Sequence, residues 1–260
     1  MTSAWVAKEV IGDCTLYQGD MRAVLPELEE KADLCATDPP YRLTSGGSRK
    51  VTMRGKFHPD RYDNKGDLMQ VLPWSKMPAP IFAALKEDAD AYVMTNSKHV
   101  AQSQIAFEAG GFKHHELLTW DKGAVTRQPF YLRCQEFTHY LWKGRARHIA
   151  DGGAKTRFAC AAPKNHWHPT AKPTSLMALY VLQSSDLGGL VLDPFAGSAA
   201  TLIAALAFGR RAIGVELEPR FFDLACEAVH AAYADGFAQV RAAWDRDRLA
   251  NNIRGLAHAA

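Results

Sequence analysis

The chain has no run of about 18 uncharged apolar residues, the length a bilayer-spanning helix needs, so no membrane span is expected. Its opening residues, MTSAWVAKEV, lack a basic stretch followed by an apolar one, so a secretory signal is not expected either. Cysteine is scarce and unpatterned. Cys14, Cys35, Cys134, Cys160 and Cys226 are odd in number and form no C-x-x-C pair. That points away from a disulfide framework or a zinc site and towards reduced thiols in a cytosolic protein. The dinucleotide fingerprint G-x-G-x-x-G is missing, which weighs against a pyrophosphate-containing ligand. No internal repeat or low-complexity tract occurs. What is present is an apolar fraction of 47% over 260 residues, enough to bury a proper core.

A strong net charge is absent too, since 31 Lys/Arg against 28 Asp/Glu leave +3. The balance hides segregation. Residues 42–65 hold seven Lys/Arg against two acidic residues, and residues 122–165 hold nine against two. Two basic segments in an otherwise acidic chain suggest a polyanion partner.

Short apolar runs at Ala32–Thr37, Ala91–Thr95, Leu117–Trp120, Thr138–Trp142, Leu190–Leu192 and Arg211–Val215 read as buried strands. Helical patterns fall between them, near residues 77–86, 98–110, 174–186, 199–208 and 219–235. Gly110-Gly111 and Gly209 stand where helix C-termini are expected. The alternation predicts an α/β fold with a doubly wound, mostly parallel, Rossmann-like sheet in one domain spanning 1–260. The stretches 42–75 and 122–165 break the rhythm and read as excursions from the sheet. Trp120, Tyr140 and Trp142 sit in strand-like runs and are expected in the core.

Ligands of open parallel sheets bind beyond the carboxyl ends of the strands. Two strand ends stand out. The first is Leu190-Val-Leu-Asp-Pro-Phe-Ala-Gly-Ser-Ala-Ala-Thr201, a strand, a turn and a helix start. Nineteen residues after Gly197, the next strand ends at Glu216. A small residue admits a ligand close to the backbone, a helix N-terminus offers free N–H groups, and a strand-end acid can accept from both ribose hydroxyls. This is the layout of a nucleoside-binding βαβ unit.

The second is Asp38-Pro39-Pro40-Tyr41, which follows the strand ending at Thr37. Each proline fixes φ and lacks an N–H, so the turn is rigid and its carbonyls stay free. The arrangement suits attack by a conjugated amino group. The Asp38 carboxylate can accept one N–H and the Pro39 carbonyl the other, which favours localising the nitrogen lone pair. Tyr41 can stack on the base face and position the nitrogen for attack on a methyl sulfonium. A base within a duplex must be flipped out to reach such a pocket.

These residues resemble the amino-group (N6-adenine and N4-cytosine) DNA methyltransferases, in the subgroup whose catalytic motif precedes the cofactor motif. Asp38-Pro39-Pro40-Tyr41 matches the catalytic D-P-P-Y. Asp193-Pro194-Phe195-Ala196-Gly197-Ser198 matches the start of D-P-F-x-G-S-G, and His168-Pro169-Thr170-Ala171-Lys172-Pro173 matches H-P-T-x-K-P. Gly19-Asp20 matches the G-D pair before the catalytic strand, and Gly214-Val215-Glu216 the ribose-binding strand. The motifs run from about residue 16 to 230.

The resemblance implies S-adenosylmethionine as cofactor and double-stranded DNA as substrate. It implies that Asp38, Pro39, Pro40 and Tyr41 form the catalytic pocket, with Asp38 also touching the cofactor. Asp20 would contact the cofactor's adenine; Asp193, Phe195, Gly197 and Ser198 would line it; Glu216 would hold the ribose. Thr170 and Lys172 would reach its carboxylate. His168 is left between a structural place and a direct contact, and Trp167 between the two pockets. The same likeness implies a cytoplasmic protein of bacterial or phage type, nucleoid-associated through DNA, of the restriction-modification kind, and a homodimer by resemblance only. Two positions depart from the pattern. Ala199-Ala200-Thr201 stands where Gly-Thr-Thr or Gly-Ser-Thr is usual, and Arg42 where Asn or Gly is common. The first adds a Cβ where the backbone needs freedom, with a modest effect on affinity expected.

In the basic loop 42–65, Arg42, Arg49, Lys50, Arg54, Lys56 and Arg61 are candidate phosphate contacts. Region 122–165 stands where the subgroup carries target recognition, with Arg127, Arg133, Arg145, Arg147 and Arg157 as candidates. Adenine is favoured because the cytosine enzymes more often carry Ser in place of Asp38. Cytosine N4, an RNA or protein amide substrate, and a DNA-binding module without catalysis remain as alternatives.

Overall fold

The computed structural model describes residues 3–41, 71–123, 131–164 and 167–256. The chain enters through a hairpin, β1 (Ala7–Ile11) and β2 (Cys14–Gln18), followed by a helical turn α1 (Met21–Val24) and β3 (Ala32–Thr37). Next come α2 (Pro78–Ala84), β4 (Leu85–Thr95), α3 (Val100–Ala109), β5 (Lys113–Asp121), β6 (Gln135–Trp142) and β7 (Arg157–Ala159). The last part holds α4 (Thr174–Ser184), β8 (Leu190–Asp193), α5 (Ala200–Ala207), β9 (Arg211–Glu216), α6 (Pro219–Ala234) and α7 (Ala238–Ala250).

All nine of these strands form one sheet in the order β1-β2-β9-β8-β3-β4-β6-β5-β7. Its centre, β2-β9-β8-β3-β4, is parallel, while β1 and β6 join it antiparallel. Each of the six apolar runs lies within a strand, and the five helical patterns fall on α2 to α6. The window 122–165 is in part sheet, since β6 and β7 belong to it. The segment 42–70, with the basic loop, lies outside the described residues.

Alternate strand residues feed two cores. Leu34, Ala36, Tyr92, Met94 and Val191 face α4 to α7. Cys35, Ala91, Val93, Leu190 and Leu192 face α1 to α3. The sheet is therefore buried on both faces, as parallel sheets are, and its centre reads as unbroken apolar runs. Trp120 and Tyr140 are buried as expected, and Trp142 is half-buried. Gly214 on β9 has a packing reason, because a Cβ there would stand 2.5 Å from Leu202 Cδ1 on α5.

The β1–β2 hairpin and α7 carry no strong periodic signal. β1 is an edge strand with Lys8, Glu9 and Val10 exposed, so it shows no apolar run. In α7 only Val240, Trp244 and Asp247 are buried, a stripe one residue wide. Among the described residues, no helix is long and apolar enough to cross a membrane, and no group of three or more His, Cys, Asp or Glu could hold a metal ion.

Candidate active site

After β3 the chain moves to β4 on one side of the sheet, and after β8 it moves to β9 on the other. The crevice between the carboxyl ends of β3 and β8 is thus the topological switch point, where open α/β sheets bind ligands. The two strands are paired, with Leu34 beside Val191 and Cys35 beside Leu192. This register sets the Asp38 turn directly alongside the loop that begins at Asp193.

Asp193 ties the two turns together. Its Oδ1 accepts the Thr37 hydroxyl at 2.6 Å and the Phe195 N–H at 3.1 Å. Asp193 is 3% exposed and braces the loop from within. Burial pushes its carboxyl up to about 6 against the hydrogen bonds from Thr37 and Phe195.

The loop itself is shaped by Gly197. Its φ is +48°, and a Cβ there would meet His168 Nε2 at 3.2 Å. His168 is buried under this loop and packs its ring on Phe221 at 4.7 Å. The Gly197 N–H donates to Glu216 Oε2 at 2.8 Å, and the Glu218 N–H to Oε1 at 3.0 Å. Glu216 is half-buried at the end of β9, with lone pairs on both oxygens left for hydroxyl donors. Burial raises its pKa, against the two backbone donors. Ser198 is buried and Phe195 half-buried along the same loop. Ala199 follows in the left-handed conformation, φ 60° and ψ 18°.

Asp20 lies one strand further out, since Gln18 of β2 pairs with Glu216. Its carboxylate caps α1 through the Arg22 N–H at 2.8 Å and binds the Arg22 guanidinium at 2.5 Å. The Arg22 hydrogen bonds hold it below the ordinary carboxylate range. The position is the expected one, but its carboxylate is engaged by Arg22.

The largest departure concerns Lys172. Its ammonium is buried and forms an ion pair with Asp38 Oδ2, with Glu136 Oε2 3.7 Å away and the Thr170 carbonyl accepting at 3.2 Å. The Lys172 ammonium thus faces Asp38 and Glu136 in this structure. Glu136, at the start of β6, is held from its other side by Lys122 on Oε1. Asp38 Oδ1 and Glu136 Oε2 are buried without a hydrogen bond within normal limits. Burial pushes the Asp38 carboxyl up and outweighs Lys172, with Glu136 adding to the rise. Burial also opposes charge on Lys172, but the two carboxylates outweigh it and hold the ammonium charged. Glu136 stays below the ordinary range because Lys172 and Lys122 overcome its burial.

Tyr41 is buried, with Trp74 stacked at 6.1 Å between ring centroids and His99 at 6.2 Å. The motifs point to neither partner, nor to Glu136. For Glu136 a signal exists: it is one of two acids in the basic window 122–165 and opens a buried strand.

The arginine candidates separate. Arg133 is exposed just ahead of β6, and Arg157 pairs with Asp121 at 2.5 Å; both stand towards the edge that carries Asp38. Arg145 and Arg147 do not. They follow β6 at the opposite edge, where they pair with Asp88 at 2.9 Å and Asp186 at 3.2 Å. The folded sheet places these two away from the crevice. Arg42, Arg49, Lys50, Arg54, Lys56, Arg61 and Arg127 lie outside the described residues.

The residues present fit a nucleoside bearing a sulfonium methyl. Glu216 offers acceptors for hydroxyls, Gly197 keeps the loop free of a side chain, and Asp38 carries a buried acceptor without a hydrogen-bond partner one strand away.

Comparison with known proteins agrees with this geometry. The profile of the N6/N4 methyltransferases, described as DNA methylase, matches residues 32–227. The Type II methyltransferase M2.DpnII of Streptococcus pneumoniae is 28% identical over 232 residues, covering 78% of this chain and 84% of its own. Among solved structures, the M1.HpyAVI–SAM complex superposes with a TM-score of 0.63 at 19% identity, over 83% of this chain and 98% of that one. The PvuII DNA methyltransferase, named as cytosine-N4-specific, reaches 0.67 at 16% identity, over 92% and 97%. Those two likenesses carry the fold; the profile match carries the kinship. The chain belongs to the N6/N4 family of DNA methyltransferases.

Proposed function

We propose that this enzyme methylates the exocyclic N6 of adenine in duplex DNA, using S-adenosylmethionine and a base swung out of the helix. The observation that carries this reading is the buried Oδ1 of Asp38, without a hydrogen-bond partner, on a rigid turn beside the loop closed by Gly197 and Glu216. When bound, S-adenosylmethionine supplies an electrophilic methyl group on a sulfonium. The chain's own residues do the rest. Asp38 Oδ1 accepts one amino N–H and the Pro39 carbonyl the other, drawing the lone pair onto nitrogen. The Tyr41 ring, backed by Trp74, offers the base an aromatic face. Glu216 accepts from the ribose hydroxyls. A base held in a stacked pair cannot reach these groups, so extrusion is part of the reading.

Asp38 supports adenine over cytosine, since the cytosine enzymes more often carry Ser at that place. The pocket chemistry is otherwise common to both bases. The test is to incubate the protein with duplex DNA and labelled S-adenosylmethionine, digest the DNA, and identify the nucleoside. N6-methyladenine supports the reading, N4-methylcytosine moves it to the sister reaction, and label in neither overturns it. Asp38→Ala and the milder Asp38→Asn are both expected to abolish transfer while cofactor binding persists. Near-normal turnover in either removes Asp38 from the pocket.

A further inference from the structure

We propose that Glu136 is a positioning residue for methyl transfer, acting on Asp38 through the Lys172 ammonium that the two carboxylates share. The inference rests on the reading of Asp38 given above. Asp38 follows β3 and Glu136 is the second residue of β6, with β4 between the two strands in the sheet. Lys172 reaches in from the segment before α4 and bridges the gap, pairing with Asp38 and standing 3.7 Å from Glu136 Oε2.

One ammonium stands between two carboxylates that each keep a buried oxygen without a hydrogen bond. Lys122 anchors Glu136 from the far side, so Glu136 cannot swing away. Glu136 therefore draws part of the Lys172 charge off Asp38. Lys172 fixes the carboxylate through Oδ2, while Oδ1 keeps the negative charge needed to accept an amino N–H. Without Glu136, Lys172 turns wholly to Asp38 and weakens it as an acceptor. The other ionisable groups facing the cluster are Tyr41 and Asp193 near Asp38, and Tyr180 of α4 near Glu136. After burial, Glu136 is a cause of the raised Asp38 carboxyl, in the sense this coupling requires.

The test compares wild type with Glu136→Gln and Glu136→Asp in the full chain. Single-turnover transfer to duplex DNA is followed across pH, and the Asp38 carboxyl is titrated by 13C NMR without DNA, with Asp38→Asn assigning the signal. Glu136→Gln is expected to lower the transfer rate roughly tenfold or more with the KM for DNA unchanged. Its acid limb and its Asp38 midpoint should both move to lower pH, because a like charge is gone and Lys172 is undivided. Glu136→Asp should restore the wild-type pH profile. A rate loss with the acid limb unmoved makes Glu136 merely structural and overturns the proposal, as does an unchanged rate. A wild-type chain that transfers no methyl group overturns the functional reading itself, whereas an unmoved Asp38 midpoint overturns the coupling alone.

Discussion

Ala199 occupies a place that the family pattern gives to glycine, and the backbone explains the preference. Its φ of 60° is left-handed, which costs a residue with a Cβ roughly 1–2 kcal/mol. Glycine would relieve that cost but lose more entropy on folding, about 0.5–1 kcal/mol. Ala199→Gly is therefore expected to stabilise the protein by up to about 1 kcal/mol, read as a higher denaturant midpoint. A lower midpoint would mean that Ala199 gains more from its buried methyl than it loses to strain. Asp193 makes a second case. Burial raises its folded-state pKa from 3.8 to about 6, so the protonated form is favoured by folding. Its contribution to stability is full below 3.8 and is lost as pH rises through about 6. Asn can keep both Oδ1 hydrogen bonds and cannot ionise. Asp193→Asn should thus gain on wild type between pH 4 and 6, by about 3 kcal/mol at most, and then level off. Urea unfolding at several pH values checks it; parallel pH curves would show that Asp193 does not titrate there.

The helix α7 illustrates how an element with little sequence signal can matter to the site. Trp244 is fully buried, stacks on Phe158 of β7 at 6.3 Å and meets Phe208 after α5 at 6.2 Å. Asp247 accepts the Ser175 hydroxyl at 2.6 Å at the start of α4, and Asn251 clamps both the N–H and the carbonyl of Ala159 at 2.8 Å. Through these contacts α7 fixes both ends of the segment that carries Thr170 and Lys172. Trp244→Ala is expected to cost about 3–5 kcal/mol, measured by chemical unfolding. A loss under about 1 kcal/mol would show that α7 is an appendage.

The molecule as a whole has two unlike edges. One carries Asp38, the Gly197 loop and Glu216; the other carries Arg145 and Arg147 in pairs with Asp88 and Asp186. Phosphate contacts release counterions, so their loss flattens the salt dependence of binding by roughly 0.9 per contact. Neutralising Arg42, Arg49, Lys50 and Arg54 is expected to weaken DNA binding and flatten that slope. Replacing Arg145 and Arg147 with Gln is expected to leave both unchanged. Titrations at several salt concentrations decide between them, and the reverse pattern would place DNA on the other edge.

Local chemistry was readable along the chain. Strand periods, the rigid Asp38-Pro39-Pro40-Tyr41 turn, the Gly197 loop and Glu216 depend on near neighbours, so order and spacing alone marked them. The catalytic and cofactor motifs also had to share a sheet edge for the reading to hold, and the β3–β8 pairing meets that condition. Charge partners were not readable, because a side chain's partner is chosen by whichever opposite charge the fold buries beside it. Lys172 thus went to Asp38 and Glu136, both more than thirty residues earlier in the sequence. The basic window 122–165 was split between opposite edges for a similar reason. An antiparallel β6 carries the chain from one side of the sheet to the other, and strand direction is set by pairing across the sheet, which no local pattern records.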